Sequence, residues 1–149
     1  MIAEKIERTT LRNLLHNEDY TRKVLPFLKS EYFQDRSERV VFTEIQKFIS
    51  QYNKRPTKET LQIDLTKRKD LNEDEYKKIV DLISSLDPQE VDLDWLVNTT
   101  EKFCKDRAVH NAVMDGIHII DGKDKNKTPD SIPSILTDAL AVCFDNAVG

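Results

Sequence analysis

Between Asp92 and Asp121 the sequence holds a single helix breaker, Gly116. The apolar spacing on either side of it is helical, which predicts one helix of roughly 27 residues, about 40 Å long. That is more than twice the mean helix of about 11 or 12 residues. Its first half carries Trp95, Leu96 and Phe103, and its second half Val109, Ala112, Val113, Gly116, Ile117 and Ile120. Gly122 is a good C-terminal stop, because glycine accepts the left-handed conformation that ends many helices. A polar loop follows, Lys123 to Pro129. A last helix is expected to start near Asp130 or Ser131, with Pro133 in its first turn, where proline is tolerated. Its stripe is Ile132, Ile135, Leu136, Ala139, Leu140, Cys143 and Phe144, the pattern of an amphipathic helix.

Residues 93–149 therefore predict a long antiparallel helical hairpin. Two helices alone bury only one stripe against each other, so each tends to need a further partner surface. A large exposed apolar patch usually marks an interaction site. The row Ala108, Ala112, Gly116 repeats every four residues and would let another helix approach closely. Gly116 costs about 1 kcal/mol relative to alanine inside a helix, and close packing would be one reason to keep it. The alternative from periodicity alone is that the hairpin folds back and these residues are ordinary core.

Residues 1–92 predict a small helical bundle. Leu11, Leu14 and Leu15 share one face, with Ile6 a turn or so earlier. Asp19 can cap a short second helix carrying Tyr20, Val24, Phe27 and Leu28, distorted by Pro26. Ser37 is a candidate cap for a third helix with Val41, Ile45, Phe48, Ile49 and Tyr52 on its apolar face. Thr57 caps a fourth with Leu61 and Leu65, and the basic run Lys67-Arg68-Lys69 falls at its C-terminal end, where cations suit the dipole. Asn72 caps a fifth, with Glu75 at the capping-box position. The buried side of that helix is expected to be Tyr76, Ile79, Val80, Ile83 and Leu86. Glycine-rich turns are missing, and the fold class is all-α.

The chain has 149 residues and three glycines, Gly116, Gly122 and Gly149. No phosphate-cradling glycine motif can be written with those positions. Lys and Arg number 23 against 27 Asp and Glu, a net charge of −4, which argues against a domain that binds nucleic acid through a dominant positive field. No apolar run is long enough for a membrane helix, and residues 1–10 have no apolar signal region. His16, His110 and His118 form no metal-ligand pair, and Cys104 and Cys143 are too isolated for a redox motif. No catalytic constellation and no metal site emerge.

At the hairpin the residues become familiar. Trp95-Leu96-Val97, Thr100-Glu101-Lys102, Arg107-Ala108 and Asn111-Ala112 resemble the hairpin entry of T-even-type phage replicative helicases. So do Ile132-Pro133, Ile135-Leu136, Ala139-Leu140, Phe144-Asp145 and Val148-Gly149. Leu14-Leu15, then Ser30-Glu31-Tyr32-Phe33 and Phe42 with Ile45, are similar to the N-terminal domain of DnaB-type hexameric helicases. The resemblance covers essentially the whole chain. It implies a helical globule plus hairpin in which hairpins of neighbouring subunits pair, forming a dimer or a trimer of dimers as a collar on a hexameric ring. ATP and Mg²⁺ would then belong to a separate motor domain, with no cofactor in this chain. The implied partners are the chain itself, the helicase loader, the primase and, through the full ring, DNA. The implied location is the cytoplasm of the infected bacterial host.

On that basis Val109, Ala112, Val113, Gly116, Ile117, Ile120, Ile132, Ile135, Leu136, Ala139, Leu140 and Phe144 are expected to be hairpin core plus subunit interface, not divisible between the two from sequence. Trp95, Leu96 and Phe103 are expected to join hairpin and globule. Two rival readings are a stand-alone all-α DNA-binding regulator and a small all-α enzyme. The regulator would need a helix-turn-helix, whose turn of three or four residues is shorter than the connection Gln51 to Pro56. The enzyme has no candidate site.

Overall fold

A computed structural model of the chain describes residues 5–144, and among them every regular element is helical. In order these are α1 (Ile6–His16), α2 (Glu18–Val24), α3 (Arg36–Tyr52), α4 (Lys58–Leu65), α5 (Glu73–Ser85), α6 (Leu93–Ile120) and α7 (Ile132–Leu140). Short 3-10 turns lie at Leu25–Phe27, Ser30–Tyr32 and Pro129–Ser131. Two compact units divide between Val97 and Asn98.

The first unit is held by a continuous apolar core. Leu11 and Leu14 of α1, Tyr20 and Val24 of α2, Val41, Phe42 and Ile45 of α3, Leu61 and Leu65 of α4, and Ile79 and Ile83 of α5 are all buried. Phe33 stacks on Phe42 with ring centroids 5.0 Å apart. Each such side chain contributes roughly 1.5–3 kcal/mol on burial. The expected α5 face is amended at three residues: Leu82 is buried while Tyr76 and Val80 are only half-buried.

Local chemistry sets the helix ends. Thr57 and Asn72 cap α4 and α5 as expected, each within a reciprocal capping box. Two caps differ from the sequence reading. Asn17, not Asp19, accepts the Tyr20 N–H at the start of α2. Asp35, not Ser37, accepts the Glu38 N–H at the start of α3. In both, the helix begins earlier than the apolar pattern indicates, because polar first-turn residues precede the buried ones. The Thr21 hydroxyl donates to the carbonyls of Leu14 (3.0 Å) and Asn17 (2.9 Å), tying α2 back to the end of α1. α2 stops at Val24, just before Pro26.

The basic run at 67–69 is more than a solvated helix end. Arg68 donates from Nη1 to Glu44 Oε2 at 2.9 Å, and grips Asp70 through Nε (3.0 Å) and Nη2 (2.7 Å). Arg36 lies 3.6 Å from the Asp70 carboxylate and 3.1 Å from that of Glu75. This alternating chain of charges joins α3, the α4–α5 connection and the first turn of α5. The fork of Arg68 holds the Asp70 carboxyl down at about 2, since a bidentate guanidinium favours the ionised acid.

Glu38 is the opposite case. It is buried near the start of α3 with Arg8 at 3.8 Å as an ion-pair partner. Burial, followed by the nearby Asp35 and Glu7 carboxylates, pushes its carboxyl up from 4.5 to about 7, against the smaller pull of Arg8 and Lys5. The folded state thus holds this proton more tightly than the unfolded chain. The resulting stability is full below about pH 4.5 and is lost as pH rises through 7. Between pH 5.5 and 8 the loss should amount to something on the order of 2 kcal/mol. Urea titrations at pH 5.5 and 8 will show it: the wild type loses this much more than Glu38→Gln on raising the pH. Equal losses would rule it out.

α6 starts with the Trp95 N–H donated to Asp92 Oδ2 at 2.9 Å and runs unbroken for 28 residues. It ends at Gly122, whose φ is +75°. Gly122 N–H donates to the Ile119 carbonyl and Lys123 N–H to that of His118, the double bond of a Schellman motif. α7 is shorter than its sequence stripe. It closes at Leu140, so Cys143 and Phe144 lie beyond the helix. The Phe144 N–H donates to Glu101 Oε2 on α6 at 2.7 Å, in place of the α-helical bond to the Leu140 carbonyl.

The two glycines carry opposite expectations. A Cβ at Gly116 would rest 3.6 Å from Ile132 Cγ2, an ordinary contact. Gly116→Ala should therefore be neutral or stabilise the hairpin by up to about 1 kcal/mol through helix propensity. Gly122→Ala should cost about 1 kcal/mol, because L-residues resist positive φ. Thermal unfolding of the two variants gives the comparison; a clear loss for Gly116→Ala would reveal a tighter requirement there. Close approach to a helix is thus not what the chain's own packing demands of Gly116.

Candidate oligomerisation surface

In the second unit α6 and α7 run antiparallel: Gly116 faces Ile132 near the turn, while Glu101 meets Phe144 at the far end. The residues expected as core or interface separate cleanly by exposure. Ala112 (4%), Ala139 (7%) and Gly116 are buried. Val109, Ile132, Ile135, Leu136 and Phe144 are half-buried. Val113 (47%), Ile117 (44%), Ile120 (69%) and Leu140 (64%) are exposed.

Helix geometry explains the division. Ala112, Gly116 and Ile119 lie on one line of α6, at spacings of four and three. Val113, Ile117 and Ile120 repeat the same spacings one residue later, about 100° further round the helix. Leu140 stands likewise one residue beyond buried Ala139. α6 thus has two apolar stripes. One is covered within the chain and the other is open to solvent, with exposed Met114 beside it.

Ile119, 4% exposed, belongs to the hairpin core and was missed among the expected residues. Its signal was present: it lies seven residues from Ala112, almost two full turns, whereas Ile120 lies eight away and is rotated off that face. Ala108 is half-buried, so its row with Ala112 and Gly116 turns from half-open to covered along the helix. Of the residues expected to join hairpin and globule, Leu96 and Phe103 are buried but Trp95 is 54% exposed.

Chemistry-bearing side chains are arranged for structure. His16 Nε2 lies 2.7 Å from the Leu86 carbonyl, an anchor between α1 and the end of α5. His110 and His118 are exposed on α6. Cys104 is buried, and desolvation followed by the Glu101 charge pushes its thiol up to about 12, far from a reactive thiolate. Among the described residues no group of His, Cys, Asp or Glu is placed to hold a metal ion. No described helix is long and apolar enough to cross a membrane.

The model of the DnaB-like helicase N terminal domain family matches residues 2–94, well over half of the chain. The chain belongs to this family. It is also 33% identical over 147 residues to the DnaB-like replicative helicase of Enterobacteria phage T4, an alignment covering 93% of this chain and 31% of that relative. The chain therefore spans about three tenths of the phage helicase it matches. The family match ends at residue 94, close to the start of α6. The alignment to the phage helicase is too long to stop there and takes in much of the hairpin. This DnaB-like N-terminal domain is all-helical, as its residues predict, and it corresponds to the part of a helicase that lies outside the motor.

Proposed function

We propose that this domain is the non-catalytic collar element of a phage hexameric replicative helicase. It pairs subunits through the hairpin and offers docking surface to the helicase loader and the primase, in the cytoplasm of the infected host. ATP and Mg²⁺ act in a motor domain elsewhere in the assembly, and DNA is engaged by the full ring.

One observation carries the pairing: the open stripe Val113, Ile117 and Ile120 of α6, with Leu140 of α7. Solvent-open apolar surface is what an interface presents, and a two-fold axis would bring the same surface of two copies together. Each residue would gain about 1 kcal/mol from burying its open half. Association itself costs at least about 4 kcal/mol. With four such residues on each of two subunits, the isolated domain should therefore pair weakly, no better than about −4 kcal/mol, in the millimolar range.

Light scattering and sedimentation over a wide concentration series test this. A reversible rise in mass toward the dimer is expected. A strict monomer at millimolar concentration would count against the pairing. The regulator reading finds less support, because Arg68, the centre of its basic run, already donates its guanidinium N–H groups to Glu44 and Asp70. Tight, salt-sensitive duplex binding would restore it.

A further inference from the structure

A concave groove of about 380 Å³ lies between α2 and the end of α3. Its apolar wall is Leu25, Pro26 and Ile49, half-buried or exposed side chains. The same end of α3 carries Phe48 and Tyr52, whose rings meet at 4.7 Å, with Tyr52 exposed. The apolar stripe of α3 thus outruns the core beneath it by a full turn.

Asn53, in the left-handed conformation at φ 56°, ends α3 and turns the chain back. That turn brings Lys54 and Arg55 to the groove wall. Arg55 Nη1 donates to the Leu15 carbonyl at 2.8 Å, which fixes the guanidinium in place. The groove's third cation, Arg22, is balanced by Glu18 and Asp19 at 3.6 and 3.8 Å. Lys54 and Arg55 face no carboxylate within ion-pair distance among the described residues. Glu18 itself lines the groove beside Arg22, so in a chain of net charge −4 this is a concavity with an apolar wall in which Lys54 and Arg55 remain as excess positive charge.

We propose that the α2–α3 groove docks an acidic, apolar-containing peptide segment of a partner protein. Its carboxylates would meet Lys54 and Arg55, and a Leu, Phe or Trp side chain would rest on Leu25, Pro26 and Ile49. The apolar wall and the small number of free cations favour a peptide over a nucleic-acid strand, which needs a longer basic track with stacked aromatics. The proposal rests on the docking half of the function given above and is independent of hairpin pairing.

A displayed library of random dodecapeptides, selected on the whole chain and counter-selected on Lys54→Glu, tests it. Lys54 is exposed, so its reversal leaves the fold intact. Enriched sequences should combine Asp or Glu with a large apolar residue. A synthesised winner should shift the amide signals of Thr21, Ile49 and Asn53 and bind Lys54→Glu at least about fivefold more weakly, as expected for one partly desolvated charge pair. The proposal is overturned by no enrichment over Lys54→Glu, by neutral or basic winners, or by shifts confined to other residues. It is also overturned if a thymidine oligonucleotide displaces the peptide and produces the same shifts. Peptide binding retained by a monomeric hairpin variant would separate this groove from the pairing surface, and no peptide binding by a wild-type chain that still self-associates would reject the groove alone.

Discussion

Replacing Arg68 with alanine should destabilise the first unit by about 3 kcal/mol, because it strands a buried carboxylate. Glu44 is 4% exposed, and the Arg68 guanidinium sits 2.9 Å from it. Without Arg68, the Glu44 carboxylate loses its guanidinium partner in a poor solvent, which is costly. The double variant Glu44→Leu, Arg68→Leu should recover most of the loss, since apolar replacement of a buried pair is often near neutral. Denaturant midpoints of the single and double variants provide the measurement. A loss below about 1 kcal/mol for Arg68→Ala would reduce the pair to the modest worth of surface ion pairs. A second readout follows from the fork on Asp70. In Arg68→Ala the Asp70 carboxyl should rise from about 2 toward its ordinary range, which carboxyl-detected NMR titration resolves.

The second large effect is on association. The double variant Ile117→Asp, Leu140→Asp should weaken self-association more than tenfold, leaving a monomer at every accessible concentration. Both side chains are largely exposed in the single chain, at 44% and 64%, so the carboxylates are solvated in the monomer and the fold should lose little. In a pair they would be desolvated against apolar neighbours, which costs several kcal/mol. The control is Ile119→Asp. Ile119 is 4% exposed, so that change should damage the hairpin itself, with melting displaced by several degrees. A double variant that pairs like the wild type would reject the stripe as the interface, while unaltered melting keeps the comparison clean.

These two cases also show where sequence reading succeeds and where it stops. The long α6 was legible because its signal is local: the absence of breakers from Asp92 to Asp121, an aspartate cap, and a glycine stop at 122. Thr57 and Asn72 were legible as caps because a capping box lies within four residues of sequence. Asn17 and Asp35 were misplaced by two residues each, since several adjacent polar residues could serve and only the final backbone geometry selects one. α7 was overextended to Phe144 because its apolar stripe continues. The Glu101 carboxylate, 43 residues away in sequence, takes the Phe144 amide instead.

By itself, then, the sequence determined the all-helical class, the order of the helices, most of their ends and the apolar inventory of the hairpin. These follow from interactions between residues three or four apart, which periodicity records directly. Only the tertiary structure decided which of two adjacent stripes on α6 the chain keeps for itself. Ile119 and Ile120 are chemically identical neighbours, and a rotation of about 100° per residue buries one and leaves the other open. It also decided that Arg68 is part of an ion-pair network, because its partner Glu44 lies on another helix, 24 residues away. Contacts of that range depend on how helices pack, and no local pattern in the chain encodes them.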